Sequence, residues 1–194
     1  MNSQIDEIGF QGPFILTILI GTQLWNITPY FISYLVGFFI NKKLNEILKD
    51  IFKEPRPIPF DLKNAENRDP LQFIGRALST NKDKTYISKS HLYGMPSGHA
   101  QTASFVIAYY YFMNEKSIFK KINITTIVFL FALLIYFITI YQRWNSKAHT
   151  ITQLMVGSIV GILFAKLLKE ITEQIMRKKL TYILKNTKDN NTQN

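Results

Sequence analysis

The sequence predicts an all-α fold, a polytopic transmembrane helix bundle with about five membrane-embedded helices. Of its 194 residues, 47% are hydrophobic, and the formal net charge is +10. The apolar residues are gathered into long runs without charge, at residues 8–41, 100–114, 122–142 and 151–165. Runs of about 20 apolar residues match the roughly 30 Å hydrocarbon layer of a bilayer. Four or five such runs leave too little polar chain to cover them in a soluble domain.

The first uncharged run, residues 8–41, is too long for one membrane span and short for two. The segment NITPYF divides it, because Thr28 can cap a helix and Pro29 suits a first helical turn. We therefore predict a first helix over residues 12–25 and a second over residues 29–52. The end of the second helix is charged, so it leaves the bilayer while still helical. A re-entrant first segment is the alternative.

The segment EPRPIPF ends the second helix, because three prolines within five residues cannot continue one. Residues 58–95 are then predicted to form a polar connection. Within it, residues 71–78 form a short amphipathic piece that can lie on the membrane surface.

Three more helices follow, the first of which begins at the segment PSGHA. Their predicted bounds are residues 96–113, 122–141 and 149–171. The chain after them is basic and then polar, and its end is expected to be disordered. The sequence therefore divides into a membrane-embedded domain at residues 1–176 and a C-terminal tail at residues 177–194.

Composition and charge exclude several classes of function. The chain has no cysteine, which excludes disulfides and thiol chemistry. A cleavable signal has a basic region before its apolar run, whereas Asp6 and Glu7 stand here, so the first run is expected to be retained. The basic tail is expected to bind anionic lipid. No nucleic-acid partner is expected, because no nucleic-acid-binding fold accompanies that tail.

Alternating helix directions place four helix ends on one face of the membrane. These are the ends of the second and fourth helices and the starts of the third and fifth. Residues capable of chemistry lie at all four, namely Lys49, Arg56, Ser97, His99, Arg143 and His149. Their convergence on one rim predicts an active site at that membrane face.

The first four of these residues suit the binding of an anion. Arg56 can bind phosphate in a bidentate manner, and Lys49 adds a point charge. Ser97 can cap the third helix, whose N-terminus favours an anion, and Gly98 permits close backbone approach. His99 stands beside that anion and can donate a proton. Each motif by itself also fits headgroup contacts or an ordinary capped helix.

The segment RWNSKAHTITQ supplies a second histidine. His149 and Gln153 are four residues apart on a predicted helix, so they share a face and can hydrogen-bond. An acceptor on one imidazole nitrogen fixes the tautomer and leaves the other nitrogen as a nucleophile. Arg143 adds a cation. The alternative is a juxtamembrane turn. His91, in the long connection, is expected to be a loop or headgroup contact.

Taken together, these motifs resemble the three-part signature of the type 2 phosphatidic acid phosphatase superfamily. The signature reads Lys, six residues, Arg-Pro; then Pro-Ser-Gly-His; then Arg, five residues, His, and here it spans residues 49–153. The resemblance implies that His149 is the nucleophile and forms a phosphohistidine, while His99 protonates the leaving oxygen. The implied oxyanion cradle consists of Lys49, Arg56, Ser97, Gly98 and Arg143. No metal and no other cofactor are implied.

Two residues depart from the superfamily's third motif, which usually has Ser before its Arg and Asp four residues after its His. Gln142 and Gln153 stand at those positions here. The segments YGMPSGHAQ and HTITQ resemble the dolichyl-diphosphatase branch, which carries Gln at the second position. Gln153 therefore fits that branch, whereas Gln142 is unusual.

Gln153 also predicts an unusual pKa for the nucleophile. A Gln carbonyl accepts an imidazole N–H, but it stabilises an imidazolium less than a carboxylate does. We therefore predict a lower pKa for His149 than in relatives that carry Asp there. A Gln153→Asp variant whose His149 pKa does not move would contradict this.

The resemblance implies a lipid phosphatase domain at residues 1–176. It would hydrolyse a polyprenyl diphosphate, most specifically dolichyl diphosphate, and support lipid carrier recycling for glycosylation, with that substrate and the bilayer as partners. Alternatives are a broader lipid phosphate or undecaprenyl diphosphate phosphatase, and a non-catalytic polyprenyl-phosphate binder or transporter. Basic residues on the opposite face predict a lumenal active site, in the endoplasmic reticulum if the protein is eukaryotic. They are Lys116, Lys120, Lys121, Arg177, Lys178 and Lys179.

Overall fold

A computed structural model of the chain describes residues 3–57, 93–118 and 122–191. This part of the chain forms five α-helices and no strand, which confirms the all-α prediction. The helices are α1 Ser3–Leu24, α2 Thr28–Phe52, α3 Gly98–Asn114, α4 Ile124–Asn145 and α5 Ile151–Asn191. The predicted surface piece at residues 71–78 lies outside the described residues, as do His91, Lys120 and Lys121.

Helix α1 begins at Ser3, well before its predicted start at residue 12. Its first turn contains Asp6, and a negative charge there is favourable beside the positive end of the helix dipole. The predicted start was wrong because it was placed within the uncharged run, whereas Asp6 and Glu7 before that run also suit the start of a helix. The earlier start brings additional side chains of α1 to the site described below.

Helix α2 agrees with its predicted range to within one residue, but Thr28, the predicted N-cap, is not the capping residue. The cap position is Ile27, which makes no side-chain capping bond, and Thr28 is already the first helical residue. Pro29 lies in the first turn as predicted. The helix ends at Phe52, and the C-cap residue Lys53 has a left-handed φ of 49° and donates its N–H to the Lys49 carbonyl at 3.0 Å. The backbone therefore turns just before the prolines.

Helix α5 differs most from its prediction. It begins at Ile151, so His149 lies in the preceding turn, and it continues to Asn191 instead of ending near residue 171. At about 1.5 Å per residue, its 41 residues extend roughly 62 Å, about twice the hydrocarbon thickness of a bilayer. The Lys, Arg, Glu and Leu residues after the apolar part are good helix formers, which explains why the helix continues.

Helix α3 packs against each of the other four described helices, and most extensively against α5. Gly157 and Gly161 make this close packing possible. A Cβ on Gly157 would lie 2.6 Å from the carbonyl oxygen of Ser97, and one on Gly161 would lie 2.9 Å from the backbone nitrogen of Phe105. Small residues spaced by four allow helix backbones to approach each other closely, as is common in membrane proteins. The start of α3 is therefore held directly against the start of α5.

Two of the described helices are long and apolar enough to cross a membrane. They are α4, Ile124–Asn145, and the part of α5 at Ile151–Tyr182, and only about a third of each apolar stretch is buried in the protein. Large exposed apolar side chains cover the rest of α4, including Ile127, Leu130, Phe131, Leu134 and Phe137. Such a continuous apolar surface suits contact with lipid. The all-helical prediction is thus confirmed, and two of the five described helices are candidate spans, whereas the embedding of all five in the membrane stays a prediction.

Candidate active site

His149 lies in the turn between α4 and α5 and is only 2% exposed. Its Nε2 is 3.3 Å from Nη1 of Arg56, and its Nδ1 is 3.2 Å from Oε1 of Gln153. Because a guanidinium can only donate, Nε2 must be the acceptor. The ring proton is therefore assigned to Nδ1, which donates to Gln153. The predicted bond between His149 and Gln153 is present, and it leaves the Nε2 lone pair facing Arg56.

The side-chain amide of Gln153 is fully buried and makes four hydrogen bonds. Its Nε2 donates to Oε1 of Glu54 at 2.7 Å and to the carbonyl of Pro55 at 2.9 Å. Its Oε1 accepts from His149 and from the N–H of Thr150 at 3.3 Å. Since both oxygens facing Nε2 can only accept, the orientation of the amide is determined by its surroundings. Its carbonyl points at the histidine.

Gly94 allows Gln153 to occupy this position. A Cβ on Gly94 would lie 2.6 Å from the amide carbon of Gln153. The Gly94 N–H donates to the Glu54 carbonyl at 2.7 Å, and the Ser97 N–H donates to the Gln153 carbonyl at 3.0 Å. The segment before α3 therefore closes over Gln153. The sequence gives no signal for this role of Gly94, because its partner is distant in the sequence.

Three cations surround His149. Lys49, at the end of α2, is 3% exposed, and its Nζ donates to the carbonyl of Tyr93 at 2.8 Å. Arg56 also donates to the carbonyl of Ala148 at 3.2 Å. Arg143, near the end of α4, is 6% exposed. All three act electrostatically on His149. The structure therefore brings together the cations that the sequence predicted for one rim.

The start of α3 faces the same site. Ser97 is the N-cap residue as predicted, and its Oγ accepts from the N–H of Ala100 at 3.5 Å. Gly98 and His99 form the first turn of the helix. A buried amide network beneath them joins α2 to α3: Asn45 donates to the Pro96 carbonyl at 3.2 Å and to Gln101 at 2.8 Å. This network fixes the position of the α3 N-terminus relative to α2.

Helix α1 contributes two contacts that the sequence analysis missed. The ring of Phe10 lies 5.5 Å from the ring of His99 and 5.6 Å from the guanidinium carbon of Arg143, a cation–π geometry. Gln142 donates from Nε2 to Oδ1 of Asp6 at 3.1 Å. The unusual Gln142 therefore ties α4 to the start of α1. A phenylalanine within an apolar run gives no sequence signal for such a role.

The pKa of His149 is lowered well below 6.5, mainly by burial and then by Arg56, Arg143, Lys49 and His99. The predicted difference from relatives that carry Asp at position 153 stays a prediction. We expect the ring to titrate below pH 6.5, because protonation would place a new positive charge among cations. A ¹⁵N NMR titration in detergent, compared with Gln153→Asp, measures this. A pKa at or above 6.5 would contradict the prediction.

The arrangement suits transfer of a phosphoryl group. A neutral histidine with an available lone pair lies among buried cations, and burial lowers the pKa of Arg56 only to about 10, so its guanidinium stays charged at neutral pH. Positioning and charge stabilisation supply most of the catalysis in phosphoryl transfer. Within residues 3–57, 93–118 and 122–191, no three His, Cys, Asp or Glu side chains group in a way that could hold a metal ion.

The sequence profile of the PAP2 superfamily matches residues 28–177, which is most of the chain. The chain belongs to the PAP2 superfamily. Members of this superfamily are phosphatases, and membership indicates a lipid phosphatase, a hydrolase in a membrane environment. No curated protein and no solved structure gives a significant match to the chain.

The PAP2 match contains every site residue that the sequence predicted, from Lys49 to Gln153. Helix α1 lies before the matched range, yet Phe10 and Asp6 contact the PAP2 site or its immediate support. One wall of the site therefore comes from outside the part of the chain that carries the family signature.

Proposed function

We propose that this PAP2 protein is an integral membrane polyprenyl diphosphate phosphatase that acts on dolichyl diphosphate, in lipid carrier recycling for glycosylation. The observation that carries the proposal is the setting of His149, with Nε2 at 3.3 Å from Arg56 and Nδ1 at 3.2 Å from Gln153. A nucleophile that attacks phosphorus requires an available lone pair, and this setting leaves one on Nε2. Gln153 and the YGMPSGHAQ segment support the polyprenyl branch.

In the proposed reaction, the lone pair on Nε2 of His149 attacks the terminal phosphorus. A P–N bond forms while the bond from phosphorus to the bridging oxygen breaks, and His99 gives a proton to the leaving monophosphate. Water then attacks the phosphohistidine and gives a proton to His99, and the P–N bond breaks to release phosphate. The proposed cradle for the phosphoryl oxygens consists of Lys49, Arg56, Ser97, Gly98 and Arg143.

We also propose that α1, α2 and α3 are embedded in the bilayer, so that the site lies at one membrane face. Exposed apolar side chains on α2 support this, including Ile32, Leu35, Val36, Phe39 and Ile40. The polyprenyl tail would stay in lipid while its diphosphate meets the cations. Basic residues on the other side, Lys116 after α3 and Arg177, Lys178 and Lys179 in the later part of α5, support a lumenal site, in the endoplasmic reticulum if the protein is eukaryotic.

Phosphate release by purified protein in detergent tests the proposal. We expect release from dolichyl diphosphate to continue in EDTA, because the histidine mechanism uses no metal-bound water, and to be inhibited by vanadate, which resembles a phosphoryl group in transfer. Phosphatidic acid should be hydrolysed at least about tenfold more slowly, a difference of about 1.4 kcal/mol in activation free energy.

Two outcomes would contradict the proposal in different ways. A requirement for a divalent metal would remove the histidine mechanism. Equal or faster release from phosphatidic acid would favour the broader lipid phosphate phosphatase over the polyprenyl enzyme.

A further inference from the structure

A carboxylate stands at the end of the hydrogen-bond chain that begins at His149. Nδ1 of His149 donates to Oε1 of Gln153 at 3.2 Å, and Nε2 of Gln153 donates to Oε1 of Glu54 at 2.7 Å. Glu54 is half-buried and lies in the short segment between Lys53, the C-cap residue of α2, and Arg56. The same residue also accepts the Gly94 N–H with its backbone carbonyl at 2.7 Å. Both its backbone and its side chain are therefore held in place.

Glu54, together with the Pro55 carbonyl and the Thr150 N–H, determines which way the Gln153 amide points. If the amide were flipped, its oxygen would face the Glu54 carboxylate and the Pro55 carbonyl, at 2.7 and 2.9 Å. Its NH₂ group would then face the Nδ1–H of His149. Both contacts would be repulsive, since neither pairs a donor with an acceptor. The carboxylate, with these partners, thus selects the amide orientation that keeps the proton on Nδ1 and the lone pair on Nε2.

We propose that Glu54 is a positioning residue for the nucleophile and acts through Gln153. The inference rests on the proposed function, in which Nε2 of His149 takes up the phosphoryl group. When it does so, the ring becomes a cation, and its Nδ1–H becomes a stronger donor. A carboxylate bonded to the amide NH₂ polarises the amide and makes its oxygen a better acceptor. Gln153 and Glu54 together then stabilise the cationic ring, as a single carboxylate beside it would.

The charges facing His149 make this carboxylate important. Lys49 of α2, His99 of α3, Arg143 of α4 and Arg56 after α2 all face the ring, and each of them opposes a positive charge on it. Within the described part of the site, Glu54 is the anion bonded to a group that contacts the ring. Its removal should therefore lower the pKa of His149 further.

An isosteric exchange of charge tests the proposal. The variants are Glu54→Gln, Gln153→Glu and the double variant that combines them, with kcat, KM and the pH profile measured on dolichyl diphosphate. Glu54→Gln should lower kcat by about tenfold with little change in KM, the scale typical of groups that orient a reacting residue. Gln153→Glu should lower kcat further, because it places a second carboxylate directly against that of Glu54.

The kcat of the double variant should be at least about tenfold higher than that of Gln153→Glu, because an amide and a carboxylate again face each other. It should also raise the pKa of His149 above the wild-type value, since the carboxylate now contacts the ring. Glu173→Gln is the matched control, because Glu173 pairs with Lys169 at 3.1 Å on a later part of α5. Wild-type kcat and pH profile in Glu54→Gln, or no recovery in the double variant, would overturn the proposal.

The ring tautomer gives a readout that does not depend on activity. ¹⁵N NMR should find the proton on Nδ1 in the wild type and a measurable share of the other tautomer in Glu54→Ala, in which only Arg56, the Pro55 carbonyl and the Thr150 N–H still favour the Nδ1 proton. A wild-type ring with its proton on Nε2, or an unchanged tautomer in Glu54→Ala, would overturn the positioning role. If the wild type releases no phosphate from any lipid while the tautomer responds to Glu54, the proposed function fails and the positioning role stands.

Discussion

Phosphate release should fall by at least about 10³-fold when His149 is replaced by Gln, because the reaction loses its covalent nucleophile. Gln is similar in size, and its amide can still donate to Gln153, so the turn before α5 keeps its hydrogen bond. The measurement is single-turnover phosphate release with excess protein. Rapid quenching with ³²P-labelled substrate should give an acid-labile phosphoprotein in the wild type and none in His149→Gln.

The matched control is His91→Gln, which removes the histidine to which the sequence analysis gave no catalytic role. It should keep at least about half of the wild-type rate, a change of about 0.4 kcal/mol or less in activation free energy. Normal function of His149→Gln in cells would favour the alternative of a polyprenyl-phosphate binder or transporter. Labelled His149→Gln protein would show that another residue carries the phosphoryl group.

The second large effect is expected on stability, at the contact between α3 and α5. Gly161→Ala should lower the free energy of unfolding by about 1–3 kcal/mol, the usual cost of forcing extra atoms into a packed interior. The added Cβ would lie 2.9 Å from the backbone nitrogen of Phe105, and backbone cannot move aside as a flexible side chain can. Thermal unfolding in detergent, followed by tryptophan fluorescence, measures the loss.

Gly21→Ala provides the matched control for this prediction. A Cβ on Gly21, in α1, would lie 3.8 and 3.9 Å from ring atoms of Tyr34 and Phe31, which is ordinary van der Waals contact. This variant should be as stable as the wild type or slightly more stable, because Ala is the better helix former. Equal stability of Gly161→Ala and Gly21→Ala would show that α3 and α5 can separate without cost.

The two departures from the superfamily's third motif have different structural explanations. Gln153 sits where a carboxylate is usual, and Glu54 supplies a carboxylate one hydrogen bond farther from the ring. Gln142 reaches Asp6 and secures α1 beside the site. Both glutamines are thus engaged in specific contacts of the folded chain.

The sequence by itself predicted five helices, the candidate site residues and their meeting at one end of the bundle. These follow from local rules: uncharged runs form helices, prolines end them, Ser97 caps one, and alternating helices bring their ends together. A spacing of four residues predicted the bond from His149 to Gln153, and the bond is present although His149 lies in the turn before α5.

Only the tertiary structure decided what surrounds those residues. Glu54 meets Gln153, Gly94 makes room for it, and Phe10 contacts His99 and Arg143 across long stretches of sequence. A lone Glu, Gly or Phe has no periodicity or spacing in the sequence that indicates such a partner. Helix ends were also misjudged, at Ser3 and Asn191, because favourable end charges and good helix formers extend a helix beyond its apolar run. Packing between distant segments, which sequence patterns do not encode locally, placed the Glu54 carboxylate against Gln153 and the Phe10 ring against His99 and Arg143.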